Sequence, residues 1–288
     1  MKTKIIATVG PKTESKENLR QLIESGADII RVNFSHATHD QYRSVHAIIT
    51  EINRELNKDV KILQDLQGPR IRVGEVPAEG ILLAEDEVYT FSYAKKTDVA
   101  NQQIHLDDPY LHIDMKVGEP FYLVNGAIEL VVTDIADETI HAKVVRGGTL
   151  YSRKGINVPK TNLQRGGLTE EDIEDVKMAI AVGVDYIALS FVQSAEDLKK
   201  LKHIVGETPV KLIAKIERAL ALENIDEIIK YSDGIMVARG DLGIEVPLED
   251  VPIIQKNLVR HAHWHGKPVI IATQMMMSMM DHDHPTRA

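Results

Sequence analysis

The chain has no cysteine among its 288 residues. That excludes disulfides, thiolate chemistry and Cys-ligated zinc, and says little about compartment. Aromatic residues make up only 5%, so the core must be mostly aliphatic. No excess of basic charge exists either: the formal net charge is -9 and the pI is near 5.7. No basic arm is present to neutralise a phosphate backbone, which argues against nucleic-acid binding. No apolar run approaches the ~18 residues of a membrane span. The opening stretch MKTKIIATVG is too short in apolar residues for a signal peptide. A cytoplasmic location is the expectation, with no membrane partner. Hydrophobic residues at 43% and charged residues at 27% fit an ordinary globular protein.

What is present is a rhythm. Aliphatic, β-branched segments occur at 4–9, 27–34, 60–66, 184–191, 210–215, 234–238 and 268–273. Most are followed by a turn and a stretch of helical apolar spacing, at 15–25, 39–56, 169–182, 194–204, 219–229 and 252–265. Ser15, Thr169 with Asp172, and Ser194 with Asp197 supply N-caps. Strand–helix alternation with continuously apolar strands predicts a parallel sheet.

Residues 73–157 break the rhythm with EVYTFSYA, EPFYLV, AIELVVTDI and TIHAKVVRGG. These read as antiparallel strands joined by tight turns. The expected architecture is an α/β chain with a TIM (β/α) barrel domain in 1–72 and 158–288, interrupted by a small all-β lid domain in 73–157. Seven of the eight barrel strands are countable. The eighth would lie beyond Ala288 through truncation, or a partner chain would cover the open edge, so self-association into a homo-oligomer is expected.

Working residues in such folds lie at the carboxyl ends of strands. Those positions carry Arg31, Asn33, Ser35 and His36, then Asp65, Gly68, Pro69, Arg70 and Arg72. Further on come Lys215 and Glu217, Arg239, Gly240 and Asp241, and finally Thr273 and Gln274. Such a density of charge is not what a core needs. Glu217 and Asp241 are hard oxygen donors suited to Mg²⁺ or Mn²⁺. Lys215 alternates with Glu217, so both face one side. Arg31 and Arg72 would clamp a phosphoryl or carboxylate group. Alternatively, Asp241 and Arg239 would form only a loop ion pair. His261, His263 and His265 at spacing two would fan around a helix, and His282 and His284 would lie in a terminal loop, which disfavours a transition-metal site. The methionines of 275–280 read as packing or an exposed former interface rather than a redox device.

The strings IIRVNFSH, QGPRIRVG, SRKGINVP, LSFVQSAEDL, AKIERALALENIDEII, SDGIMVARGDLGIEVPLEDVPIIQK, GKPVIIATQM and PTRA resemble the pyruvate kinase family from end to end. The resemblance implies transfer of a phosphoryl group between phosphoenolpyruvate and ADP, as in glycolysis, through a metal- and lysine-stabilised enolate. It implies the essential lysine at Lys215, metal ligands at Glu217 and Asp241, and the three-carbon acid on the backbone of Gly240 and Asp241 near Thr273. It also implies phosphate contact by Arg31, and Arg72 as the arginine after the GP turn.

Several positions depart from that pattern. Asn33, Ser35 and Asp65 match the family's K⁺ ligands, but its threonine is Leu66 and its acid is Arg70. That combination resembles the K⁺-independent subgroup, with Arg70 as tethered cation, so no K⁺ requirement is expected. Where the family carries a nucleotide-contacting lysine, this chain has Glu171. Arg165 is the candidate to compensate. Val124-Asn125, Gln193 and Met277 replace a paired Asp, a basic residue and an acid. The alternatives are therefore an enolate-forming enzyme without ADP, such as a 2-oxo acid decarboxylase or lyase or a transferase with another phosphoryl acceptor, and an inactive regulatory paralogue. The family's C-terminal regulatory domain has no counterpart in these 288 residues.

Overall fold

A computed structural model describes residues 3–164 and 166–286. The chain starts β1 (Ile6–Val9), α1 (Lys16–Glu24), β2 (Ile29–Asn33), α2 (His39–Leu56) and β3 (Lys61–Asp65). Ser15 and Thr38 cap the two helices, accepting from the amides of Asn18 and Gln41. Next come β4 (Ile81–Leu83), β5 (Val88–Ser92), β6 (Gln103–His105), the single-turn α3 (Leu111–Asp114), β7 (Pro120–Leu123), β8 (Ile128–Ala136), β9 (Thr139–Arg146), β10 (Gly148–Leu150) and β11 (Ile156–Asn157). The alternation then resumes with α4 (Glu170–Val182), β12 (Tyr186–Leu189), α5 (Ala195–Val205), β13 (Lys211–Ile216), α6 (Ala219–Glu223), α7 (Ile225–Tyr231), β14 (Gly234–Ala238), α8 (Arg239–Glu245), α9 (Val251–Trp264) and β15 (Val269–Ala272).

The sheet order β1-β2-β3-β12-β13-β14-β15 is parallel throughout, so β12 pairs directly with β3 across the whole intervening segment. The sheet is curled: side chains from β1 and from β15 line one cavity, yet the two strands do not pair among the described residues. Its inner face holds Leu63, Ala188, Ile213 and Met236 in contact. Its outer face packs on the amphipathic helices, as with Leu198, Leu201 and Ile228 against Ile187 and Leu212. Strands buried on both faces explain the continuous apolar runs; all five residues of β14 are buried.

The segment between β3 and α4 builds a six-stranded sheet in the order β11-β7-β8-β9-β5-β6, antiparallel except for β5 with β6, and a two-stranded sheet of β10 with β4. Here burial alternates, as in β7 and the first half of β8, because one face packs and the other meets solvent. Phe91 and Phe121 meet edge to face at 5.2 Å in its core.

Two expectations need correction. The stretch 219–229 is not one helix but α6 and α7, broken at Asn224, whose side chain donates to Gln193 O and Leu220 O. No glycine or proline signals that break. The histidines of α9 do not simply fan out: His261 and His265, four apart, both face Asp226, at 2.8 and 3.6 Å.

Candidate functional site

The last residues of the parallel strands converge on Asp65. This carboxylate is fully buried, with Arg31 on Oδ2 at 2.6 Å and Lys215 on Oδ1 at 3.0 Å. The sheet register makes the convergence unavoidable, since Arg31 and Asp65 lie two rows apart on adjacent strands and point inward together. Lys215, 8% exposed, also reaches Glu217 Oε1 at 2.9 Å and Ser190 Oγ at 2.7 Å. Glu217, 2% exposed, accepts the backbone N–H of Phe191 on its other oxygen at 2.8 Å.

Burial would lower the Lys215 pKa, but the charges of Glu217 and Asp65 outweigh it and hold the ammonium above its ordinary value. Burial pushes Glu217 up; Lys215 pulls the other way, and the charge of Asp241 adds to the rise. Two carboxylates that repel each other across a cavity are relieved by a cation. Their hard oxygens fit Mg²⁺ or Mn²⁺. Among the described residues no group of three or more His, Asp or Glu could hold a metal, so substrate and water oxygens would complete the shell.

A cavity of about 420 Å³ joins these groups. Thr8, Arg31, Lys215, Glu217, Asp241 and Thr273 supply polar groups to its lining, and Ile6, Met236 and Ile270 are among its apolar residues. Gly240 and Thr273 touch so closely that a Cβ at Gly240 would come within 2.8 Å of the threonine methyl. Arg239 does not pair with Asp241; it donates to the carbonyls of Ala272 and Thr273 and so ties α8 to the end of β15. Thr273 and Gln274 both adopt positive φ, at 72° and 53°, the kind of backbone strain that gathers at functional sites.

The GP turn is held from α4. Asp172 closes the capping box with Thr169 and also accepts the amide of Gly68 at 3.1 Å. Gly68 has φ +71°, and a Cβ there would meet Phe191 and Ser190 at 3.0 and 3.1 Å, so only glycine fits. Glu171 is exposed in the first turn of the same helix, where acids suit the helix dipole.

Of the residues singled out from sequence, Arg31, Lys215, Glu217, Asp241 and Thr273 share the cavity. Asn33 is the register partner of Asp65, and the amide of Ser35 donates to its side chain. Arg72 stands apart, in a bridge with Gly155, its Nη1 donating to Arg153 O. Arg70 is not brought to Asn33, Ser35 or Asp65. It lies in a narrow crevice, its Nε 3.3 Å from where a Gly155 Cβ would be, with Asp241 and Glu245 among the other walls. The reason is visible at Asp65, whose charge Arg31 and Lys215 already meet. Arg165 lies outside the described residues. The methionines 275, 276, 277, 279 and 280 are exposed.

Sequence reasoning missed Ser190 and Arg218. Ser190 accepts from Lys215 and donates to Leu66 O at 2.6 Å. Its place just past the end of β12 was the available signal. Arg218 is almost fully buried, and nothing in its sequence neighbourhood announces that.

All 288 residues match the family model described as "Pyruvate kinase, barrel domain". The chain belongs to the pyruvate kinase family. It is 42% identical to "Pyruvate kinase 2" of Synechocystis sp. over 293 residues, covering all of this chain and 49% of that protein. It is 41% identical to "Pyruvate kinase" of Agrobacterium vitis and 39% identical to "Pyruvate kinase" of Thermococcus litoralis, again over its whole length, covering 60% and 61% of them. The chain thus spans about half to three-fifths of the length of the curated pyruvate kinases it matches. No helix among its described residues is long and apolar enough to cross a membrane.

Proposed function

We propose that this chain carries the enolate-stabilising centre of a pyruvate kinase and moves a phosphoryl group between phosphoenolpyruvate and a nucleoside diphosphate. The observation that carries the reading is the ammonium of Lys215, buried between Glu217 and Asp65 on the wall of the cavity that Asp241 also lines. Departure of the phosphoryl group leaves negative charge on the enol oxygen of the three-carbon acid. A buried ammonium already fixed by two carboxylates would meet that charge without reorganising. A divalent cation held by Glu217 and Asp241 would supply Lewis-acid stabilisation of the same oxygen. Arg31, anchored on Asp65 and on Thr8 Oγ1 at 2.9 Å, would orient a phosphoryl group. Arg72, which does not line this cavity, is given no part in that orientation. Thr273, against Gly240, would border the carbon to be protonated, and the backbone of Gly240 and Asp241 would seat the carboxylate.

No K⁺ requirement is proposed, because two cations of the chain itself already balance Asp65. The six-stranded sheet would act as a lid, and the protein would work in the cytoplasm as a homo-oligomer. The second reading, the same centre without ADP, is favoured by one observation: Glu171 adds an exposed acid beside Glu170 and Asp172 at the start of α4, where an incoming diphosphate would be repelled.

Proton NMR of phosphoenolpyruvate with the chain, Mg²⁺ and ADP tests the choice. Pyruvate formed only with ADP, and unaffected by K⁺ at constant ionic strength, is the expected result. Turnover indifferent to ADP would move the assignment to the second reading.

A further inference from the structure

The loop behind the candidate metal ligands is organised by one guanidinium. Arg218, the residue after Glu217, is 2% exposed. Its Nη1 donates to Gln193 Oε1 at 2.7 Å, and its Nη2 donates to the carbonyls of Val158 and Thr161 at 2.6 and 2.9 Å. Its Nε faces Glu245 Oε2 at 3.7 Å. Glu245 is itself buried, accepts the amide of Ala219 at 3.3 Å, and is approached by the Asn157 side chain. Burial pushes the Glu245 carboxyl up, and Arg218 offsets this.

These contacts join segments that sequence keeps far apart. Val158 and Thr161 belong to the turn that follows β11 and leads from the six-stranded sheet back to the barrel. Gln193 lies just past β12. Glu245 sits at the end of α8, the helix whose first turn carries Asp241. A planar fork of fixed geometry reaches all of them at once, which a lysine ammonium cannot do. A buried guanidinium with a buried carboxylate adds little net stability, but leaving either partner without the other is strongly unfavourable.

We infer that Arg218 is a positioning residue that locks the turn after β11, where the inserted sheet rejoins the barrel, to the loop and helix that carry Glu217 and Asp241, so that the spacing of the two carboxylates depends on how the inserted sheet is seated. This rests on the proposed role of Glu217 and Asp241 as metal ligands. It goes beyond that role by giving the inserted sheet a mechanical connection to the metal site.

Mn²⁺ affinity, followed by electron paramagnetic resonance on the whole chain, tests it without relying on turnover. Because the chain has no cysteine, spin labels at Thr133→Cys and Lys202→Cys report the distance from the inserted sheet to the barrel. Arg218→Lys, checked for a cooperative thermal transition, should weaken Mn²⁺ binding by roughly ten- to a hundredfold and broaden the distance distribution. Glu245→Gln, which keeps the shape and removes the charge, should move both readouts in the same direction and by less. It also serves as the probe should the lysine variant not fold. Unchanged Mn²⁺ affinity in a folded variant, whether or not the distances broaden, overturns the inference and leaves the functional reading in place. A wild-type chain that binds no Mn²⁺ overturns both.

Discussion

The two sheets solve the burial problem in opposite ways. The antiparallel sheet turns one face inward and fills it with apolar side chains such as Phe91, Leu123, Leu130 and Val144. The parallel sheet is covered on both sides, yet the carboxyl ends of its strands bury Asp65, Lys215, Glu217 and Arg218. Charges of that kind stay buried only when each meets a counter-charge or a donor, and here each does. The first sheet packs an ordinary apolar core. The second carries an electrostatic load that stability alone does not call for, as the proposed site would require.

That contrast can be broken from either side. Phe91→Ala empties part of the antiparallel core and should cost about 3 to 5 kcal/mol in denaturant unfolding. Mn²⁺ binding by the remaining folded molecules should change little, because Arg218 grips the turn at Val158 and Thr161 rather than the core around Phe91. A loss of metal affinity as large as that of a Glu217→Gln chain would show that the core around Phe91, and not only the turn held by Arg218, sets the metal site. Lys215→Met leaves Glu217 and Asp65 facing each other without their shared cation and should cost about 3 kcal/mol. Adding Glu217→Gln to it should return part of that loss, because the uncompensated charge is then gone. A double variant no more stable than the single one would mean that packing, not charge, sets the cost.

The smallest effect concerns α2. Burial holds the His46 imidazole below its usual 6.5, against a weaker upward pull from Asp185. The ring fills the space at Gly183, where a Cβ would meet its Nε2 at 2.7 Å. The unfolded chain takes up that proton near 6.5 and the folded chain only at lower pH. The contribution of neutral His46 is therefore complete above 6.5 and is lost as pH falls below it. His46→Gln should flatten this limb in unfolding measured at about pH 5.5 and 7.5. An unchanged slope would place the titration elsewhere.

How much of this was legible beforehand follows the same division. Each of the seven apolar runs matches one strand of the parallel sheet, β13 extending one residue past its run, because strands buried on both faces write an uninterrupted signal. Lys215, Glu217 and Asp241 were legible because strand ends in such sheets face one cavity. The break at Asn224 was not, since it depends on hydrogen bonds to Gln193 and Leu220 rather than on a helix-breaking residue. The seat of Arg70 was hidden for a similar reason. Its sequence neighbours do not reveal that Arg31 and Lys215 already occupy both oxygens of Asp65. Arg218 is the extreme case: its partners lie at 158, 161, 193 and 245, and no local pattern encodes them.

The central claim is that Lys215, Glu217 and Asp241 form a centre able to hold an enolate. The most direct measurement is deuterium exchange into the methyl group of pyruvate in heavy water with Mg²⁺, followed by proton NMR, for the wild-type chain, Lys215→Arg and Lys215→Met. This reads enolate formation alone and needs no nucleotide. The account predicts exchange that depends on both the metal and Lys215, absent in Lys215→Met and strongly reduced in Lys215→Arg, whose bulkier guanidinium cannot occupy the same point. Exchange by the Lys215→Met chain at the wild-type rate, or none by a folded wild-type chain that binds Mg²⁺, would contradict it.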